Sequence, residues 1–572
     1  LGSLHQKEEI TMHKLTGLCL ALVAAALLAA CNDGTGGSSS IVDSSGARGS
    51  LMQNPPLRIA TLTAADFNAQ LGATPSGQQL LQITGAPTCG VDFHYIQYGT
   101  VDGGNPQAPT SASGALMVPT GAAPACSGPR PILLYAHGTA TNRAMNIADI
   151  TNPSNTEGAL IAAMFAAQGF IVVAPNYAGY DSSPLPYHPF LNGDQQSKEM
   201  IDALKAARKA LGNISASSTT DAGLLFVTGY SQGGYVAMAT AKAMQALQGT
   251  DPTLTVTASG PMSGPYALEA FGDMVFFGGV NLGSTVFAPM IATSYQRQFG
   301  NIYNSPTDTT NIFAAPYAAT IDALLPSNTP VSTLISTGKI PQLGLLSSIA
   351  PTGTCNDPFF SGETPFTTGN ASQDALFALG FTPNGGDPSP NLIANSARAG
   401  VVCDAFVNAD GAFPTPSAGV PLAATPQHPL RQALKANDMR TWHPTHPMLL
   451  CGGQNDPTVF FPTNTQTMAG TGPNGGTAAN PTGSFWQAEA TGGLVTVFDV
   501  DTAAVGGGNP FDPLRVGFAG AKAATAAAAG GGPVGQQAVT QAYHGTLVPP
   551  FCSAAVRGFF AQVLASIPFP FP

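Results

Sequence analysis

The sequence predicts an α/β fold: a mostly parallel, eight-stranded sheet with helices on both faces and one large insertion. Three observations predict it. From Pro131 onward, short apolar runs alternate with helical patterns, as in "PILLYAH", "EGALIAAMFAAQG" and "FIVVAPN". Such alternation builds βαβ units and a parallel sheet. The run "LLFVTG" turns at once into the helical "QGGYVAMATAKAMQAL" through a serine set between glycines. Between Gly264 and Pro447 the alternation stops, and a stretch of that length is too long for a structureless loop in a compact domain.

The elements follow in order. Met12 is the expected start, with residues 1–11 untranslated, His13 and Lys14 as a basic lead, and "LTGLCLALVAAALLAA" as the apolar centre of a signal peptide over residues 1–30. Residues 31–54 read as a tether, Gly/Ser-rich from Asn32 to Ser50. The first part of the core, 55–264, opens with an antiparallel hairpin, "VDFHYIQYGTVDGG" and "ASGALMVPT". Pro131–His137, "FIVVAPN", "LLFVTG" and "LTVTASG" continue the sheet, with helices at "EGALIAAMFAAQG", at Asp194–Leu211 and after Ser231. Residues 265–445 read as an inserted cap over the C-terminal edge of the sheet. The second part of the core, 446–572, supplies the strands "PMLLCGG" and "LVTVFDV" and a last helix from Cys552 to Ser566. Two Gly/Ala/Thr-rich pieces, Ala469–Gly483 and Ala503–Gly532, read as long surface loops, the second with a weak helix at "AKAATAAAAG". After the signal peptide no segment reads as long and apolar enough to span a bilayer.

Composition narrows the function classes. Hydrophobic residues make up 44% of the 572, enough for a sizeable core, while charged residues are only 9% and Gly (66) and Pro (49) are abundant. That mixture fits a loop-rich exported protein. Thirty-one acidic against 20 basic residues give a net charge of -11, which excludes nucleic acid as a partner, because phosphate binding needs a basic footprint. With Cys19 inside the signal peptide and Cys31 at its end, six cysteines remain, enough for three disulfides. Sequential pairing is the expectation: Cys89 with Cys126, Cys355 with Cys403, Cys451 with Cys552.

The serine between glycines carries the chemistry. A hydroxyl becomes nucleophilic only when a base accepts its proton. It must also stand clear of the sheet, which a tight strand-to-helix turn achieves when the residues two before and two after are small. Gly229 and Gly233 hold those positions around Ser231. The partners should follow in the order serine, acid, histidine. Of the later histidines, His428, His443 and His446 precede "PMLLCGG", whereas His544 in "AYHGTLVPPF" follows the last strand and precedes the last helix. His544 is therefore the expected base. Asp456, in the loop after "PMLLCGG", is the expected acid, with Asp499 and Asp501 at the end of "LVTVFDV" as alternatives. The backbone N–H groups of Gln232 and Thr139 are the expected oxyanion donors. The pair His443 and His446 reads as a hinge rather than a metal site, because proline breaks the helix that would align them.

Taken together, "YAHGT", "APNYAGYDSSPLPYHPF", "GYSQGG", "GGQNDPTV" and "YHG" resemble the α/β-hydrolase superfamily, and within it bacterial secreted lipases and esterases of the secretory-lipase kind. The resemblance covers Val91–Gly264 and Pro447–Ser566. It implies an α/β-hydrolase fold, ester hydrolysis through Ser231, Asp456 and His544, and no metal or organic cofactor. The loop Asn176–Tyr180 would line the site, with His137, Gly138, Tyr180 and Tyr230 as substrate contacts. The expected substrates are small-molecule, lipid or polymeric esters; a non-catalytic surface-binding protein on the same fold is the alternative. "LAAC" resembles a bacterial lipobox. That implies lipidation of Cys31, export, and anchoring in the cell envelope, at the outer membrane since Asn32 follows the cysteine.

Overall fold

The computed structural model describes residues 47–152, 155–214, 218–348, 371–382, 390–410, 422–469 and 485–567. Its main sheet has nine strands: β1 (Leu57–Leu62), β2 (Gly90–Val101), β3 (Pro109–Thr120), β4 (Gly128–Ala136), β5 (Ile171–Pro175), β6 (Thr219–Tyr230), β7 (Val256–Met262), β10 (Met448–Gly452) and β11 (Val495–Asp499). A separate parallel pair, β8 (Leu346–Ser347) and β9 (Phe381–Thr382), lies between β7 and β10 in the chain. The order across the main sheet is β1-β2-β3-β5-β4-β6-β7-β10-β11. From β5 to β11 every neighbouring pair is parallel, and β1, β2 and β3 add an antiparallel flank.

The strand β1 is the ninth, beyond the eight expected. It is an edge strand whose side chains are exposed or half-buried, so it lacks the apolar run that marks the central strands. Those are buried on both faces and read as near-continuous apolar sequence. Along β6, Leu225 and Val227 point to one core cluster and Phe226 to the other. Along β4, Ile132 and Leu134 face the first cluster, and Leu133 and Tyr135 the second. Helices Gly193–Leu211 and Gln232–Leu247 fill the first face with Met200, Leu204 and Val236. Helices Thr156–Met164 and Val548–Ser566 fill the second with Ile161 and Phe560.

Several expectations are corrected. The expected tether does not extend to residue 54: Leu51 is buried and bridges to Tyr98, and Arg48 pairs with Asp202 at 3.0 Å. The apolar Leu51 and the cationic Arg48 end the Gly/Ser pattern, and both find partners on the core. Residues 503–532 are not mainly loop: helix Asp512–Ala528 fills more than half of them, and a further helix, Gly532–Ala542, starts at their end. Alanine has the best helix propensity, and Phe518 and Ala521 give the first of these a buried stripe. The last helix begins at Val548, before Cys552. Among the described residues, the helical stretch Gly532–Ser566 is long and apolar enough to cross a membrane by length and composition alone. It instead packs Phe551, Val556 and Phe560 into the core. Disulfides join Cys89 to Cys126 and Cys451 to Cys552, as expected. Cys403 is disulfide-bonded, and Cys355 lies outside the described residues. The signal peptide, Cys31 and most of Ala469–Gly483 also lie outside them.

The long helix Gly193–Leu211 carries a buried acid, Glu199, which accepts from the hydroxyl of Tyr98 at 3.3 Å and the amide of Gln195 at 3.0 Å. Burial pushes its carboxyl up to about 8. A group of raised folded-state pKa binds more protons folded than unfolded, so its contribution to stability is lost as pH rises from about 4.5 toward 8. Glu199→Gln should therefore flatten the fall in melting temperature between pH 5 and pH 8.5. A parallel pair of curves for parent and variant would contradict this.

Candidate active site

The parallel strands end along one edge in register. Ala136 lies beside Gly229, Tyr230 beside Met262, and Gly452 beside Asp499. The chain places β5 on one side of β4 and β6 on the other. In open α/β sheets the crevice for ligands opens outside the carboxyl ends of strands at such a reversal. The loop after β4 carries Thr139, the turn after β6 carries Ser231, and the loop after β10 carries Asp456.

Ser231 is held at φ 59°, ψ -122°, a left-handed backbone that non-glycine residues rarely adopt and that marks functional turns. Its neighbours explain how the turn closes. A Cβ on Gly229 would meet the carbonyl oxygen of Gly233 at 2.3 Å, and a Cβ on Gly233 would meet that of Ala136 at 1.9 Å. Only glycine fits at both positions.

His544 comes from the other end of the chain, on a π-helical turn, Tyr543–Leu547, that leads into the last helix. π-turns recur at functional sites. Its Nε2 lies 2.8 Å from the hydroxyl oxygen of Ser231, and its Nδ1 lies 2.7 Å from Oδ2 of Asp456. The other carboxylate oxygen of Asp456 accepts from the backbone N–H groups of Thr458 at 2.9 Å and Val459 at 3.0 Å. An acceptor-only carboxylate facing Nδ1 selects the tautomer with hydrogen on Nδ1, which leaves the Nε2 lone pair toward the serine. Of the alternatives, neither Asp499 nor Asp501 bonds the imidazole. Asp499 accepts from the backbone of Gln454 and Asp501, and burial pushes its carboxyl up to about 6. The Cys451–Cys552 bridge ties the strand before the acid loop to the helix after His544.

The structure also sorts the expected anion donors. The N–H of Ser231 bonds to the carbonyl of Met262, and that of Gly138 to Glu157 Oε1 at 2.9 Å. The N–H groups of Gln232, at the first position of its helix, and of Thr139 find no acceptor among the described residues. Both residues line the same pocket as Ser231. A helix N-terminus adds a favourable dipole for an anion there.

Four expected substrate contacts are corrected: His137, Gly138, Tyr180 and Tyr230 do not line the pocket. His137 is fully buried, with Nε2 3.0 Å from the carbonyl of Asn176 and its ring stacked on Tyr177 at 4.1 Å. The Tyr180 hydroxyl donates to the carbonyl of Ala140 at 2.6 Å. Gly138 packs near the Ser231 Cβ, and the Tyr230 hydroxyl donates to the His544 carbonyl at 2.5 Å. These polar tips are spent on backbone groups behind the site. His443 and His446 go separate ways, to Glu489 and to Ser259.

Two supporting residues escaped the sequence reading. Glu157 accepts from both the Tyr135 hydroxyl and the Gly138 N–H, and nothing in its local pattern signals this. His188, in the quoted "PLPYHPF", is fully buried; burial drops its imidazole to about 3. It is therefore neutral: Nδ1–H donates to the Ala178 carbonyl at 2.9 Å, and Nε2 accepts from the Gln232 amide at 2.6 Å. That fixes the side chain of the residue after the nucleophile.

The pocket in front of Ser231 has a volume of about 930 Å³ with its open mouth included, and among the described residues no charged side chain lines it. Phe190 from the core and Leu268, Phe271, Phe287, Ile291 and Leu434 from the segment between β7 and β10 form its apolar walls. One wall helix, Pro429–Ala436, is locked from behind: Arg431 makes two 2.8 Å bonds to Asp273 and one of 2.9 Å to Asp404.

The comparisons agree with this architecture. The sequence profile of the prolyl oligopeptidase family, Peptidase_S9, matches residues 158–248, which span the serine turn. No curated protein matches the chain. A ligand-bound crystal structure of the rice cell wall degrading esterase LipA from Xanthomonas oryzae superposes with TM-score 0.59 at 22% identity, covering 90% of this chain and 98% of that one. Another LipA crystal structure gives 0.57 at 23% over 90% and 98%. A crystal structure from Legionella pneumophila gives 0.55 at 17% over 90% and 98%. The fold is that of the α/β-hydrolases.

Proposed function

We propose that this α/β-hydrolase-fold chain is a serine carboxylic-ester hydrolase. One observation carries the reading: the hydrogen-bonded series Asp456–His544–Ser231, at 2.7 and 2.8 Å, opens onto an apolar pocket. In this mechanism the Ser231 hydroxyl attacks the ester carbonyl while His544 Nε2 takes its proton. The N–H groups of Gln232 and Thr139 hold the oxyanion, and Asp456 stabilises the imidazolium. His544 then gives the proton to the leaving alcohol, and water repeats the steps on the acyl-enzyme. No step draws on a cofactor.

The pocket walls favour an acyl chain as the part of the ester that is buried, because uncharged aliphatic and aromatic surface offers nothing to a sugar or a peptide backbone. The segment 265–445, which supplies most of those walls, would act as the cap of the site. Turnover of p-nitrophenyl esters from acetate to palmitate tests this. The expected result is a rise in kcat/KM from acetate through medium chains. Ala288→Trp, a substitution in the pocket wall, should cut the long-chain rates at least about tenfold while acetate changes little, in line with the ~1–3 kcal/mol value of a chain segment in an apolar pocket. Equal loss for all chain lengths would place the acyl group elsewhere. Hydrolysis of a plant cell-wall ester, as the name of the LipA structure suggests for that protein, is the second reading; the same assay with a feruloylated or acetylated polysaccharide separates the two. A chain that turns over none of these esters would be left with the non-catalytic surface-binding reading.

We also propose export and lipid anchoring through Cys31. A single lipidated cysteine followed by a Gly/Ser tether would hold the enzyme at the envelope surface. Labelled palmitate incorporated by the intact protein and lost in Cys31→Ala is the expected result, and equal labelling of both would overturn it.

A further inference from the structure

Asp501 lies just past the end of β11, in a turn, and is one of the alternatives the sequence offers for the acid. It does not touch His544. It touches instead the residue before the acid and the residue before the base. Its Oδ2 accepts from the amide of Asn455 at 2.8 Å and from the hydroxyl of Tyr543 at 2.6 Å. Asn455 immediately precedes Asp456, and Tyr543 immediately precedes His544. The same tyrosine oxygen also accepts from the backbone N–H of Asn455 at 3.3 Å. The Asp501 carbonyl takes the Gln454 amide at 2.6 Å, and its second carboxylate oxygen pairs with Lys522.

We infer that Asp501 is a positioning residue that sets the separation of Asp456 and His544 by clamping the two residues next to them; the inference rests on the ester-hydrolase reading above. The acid arrives on the loop after β10 and the base on a π-turn 88 residues later. Short bonds to one buried carboxylate are a direct way to hold two such separate segments in register. The side chain of Asp501 is 5% exposed, so water does not substitute readily for these donors. Burial and the neighbouring Asp501 charge keep the Tyr543 hydroxyl protonated, raising it far above its ordinary value, so it stays a donor to the clamp. Gly453 makes room for it: a Cβ there would meet the tyrosine oxygen at 2.4 Å. A mere surface ion pair with Lys522 would explain neither the tyrosine nor the asparagine contact.

The test uses Asp501→Asn, Tyr543→Phe and the double variant, each titrated with a p-nitrophenyl phosphonate to count competent sites before ester turnover is measured. The expected result is that kcat per titrated site falls about tenfold or more, toward the ~10²-fold that a 1 Å misplacement costs, while KM stays within about twofold. The double variant should fall no further than the worse single one, because both changes break one shared contact. Loss of competent sites with unchanged kcat per site would make Asp501 a folding residue only and overturn the inference. Singles whose effects multiply in the double variant would also overturn it. If Asp501→Asn fails to fold, Tyr543→Phe, which keeps the ring, decides the matter by the same kcat readout. A parent protein that neither titrates nor turns over esters sinks the ester-hydrolase reading itself, and an active parent with unaffected variants sinks only this inference.

Discussion

Replacing Ser231 with alanine lowers turnover of p-nitrophenyl butyrate by about 10⁶-fold, the scale on which loss of a serine nucleophile acts. The melting temperature should stay within about 2 °C of the parent, because the change removes one oxygen at the rim of the pocket and fills no space. His544→Ala should cost nearly as much, and the double variant little more, since the two side chains act as one unit. The geometry explains why. The strained turn holds the hydroxyl 2.8 Å from His544 Nε2, and among the described residues that nitrogen hydrogen-bonds to Ser231 alone. Residual activity above one per cent in Ser231→Ala would contradict this, and kcat/KM measured on freshly purified protein reads it directly.

Asp456→Asn lowers kcat by about 10⁴-fold. The carboxylate takes two backbone N–H donors on one oxygen and His544 Nδ1–H on the other. An asparagine that keeps its oxygen toward Thr458 and Val459 must turn its NH₂ toward Nδ1. The imidazole then carries hydrogen on Nε2, which faces Ser231 as a donor and can no longer take the proton. Asp499→Asn, which leaves the imidazole untouched, should cost less than about tenfold by comparison. Equal losses in the two variants would remove Asp456 from its role.

The parts of the site that were legible in the sequence are those encoded locally. Gly229, Ser231 and Gly233 announce a turn through their spacing alone, and the structure shows the backbone contacts that require them. His544 was singled out by chain order: of the histidines after Ser231, only it follows the last strand. The loop after β10 pointed to Asp456, but Asp499 and Asp501 stood close in sequence to an equally suitable strand end. Only the tertiary path of the π-turn at Tyr543 separates the three acids. The central strands were readable because burial on both faces leaves continuous apolar runs; β1 was not, because an exposed edge leaves none. The helices after residue 511 were hidden by composition, since Gly, Ala and Thr repeat in loops as well as in helices, and their burial is confined to a few side chains such as Phe518. The substrate contacts were misplaced for a related reason. Tyr230 adjoins Ser231 and Tyr180 ends the loop expected to line the site, but their hydroxyls bond to backbone carbonyls, while the pocket walls come mainly from the inserted segment, from residues such as Leu268 and Phe287. Glu157 and His188 support the donors from positions with no sequence link to them.

The most direct measurement is the site of covalent capture. Incubation of the full chain with a fluorophosphonate, followed by intact-mass analysis and peptide mapping, should give a single adduct on Ser231, absent from Ser231→Ala and slowed by orders of magnitude in His544→Ala. No adduct, or one mapped to another serine and unchanged in His544→Ala, would contradict the assignment of Ser231 as a nucleophile activated by that histidine.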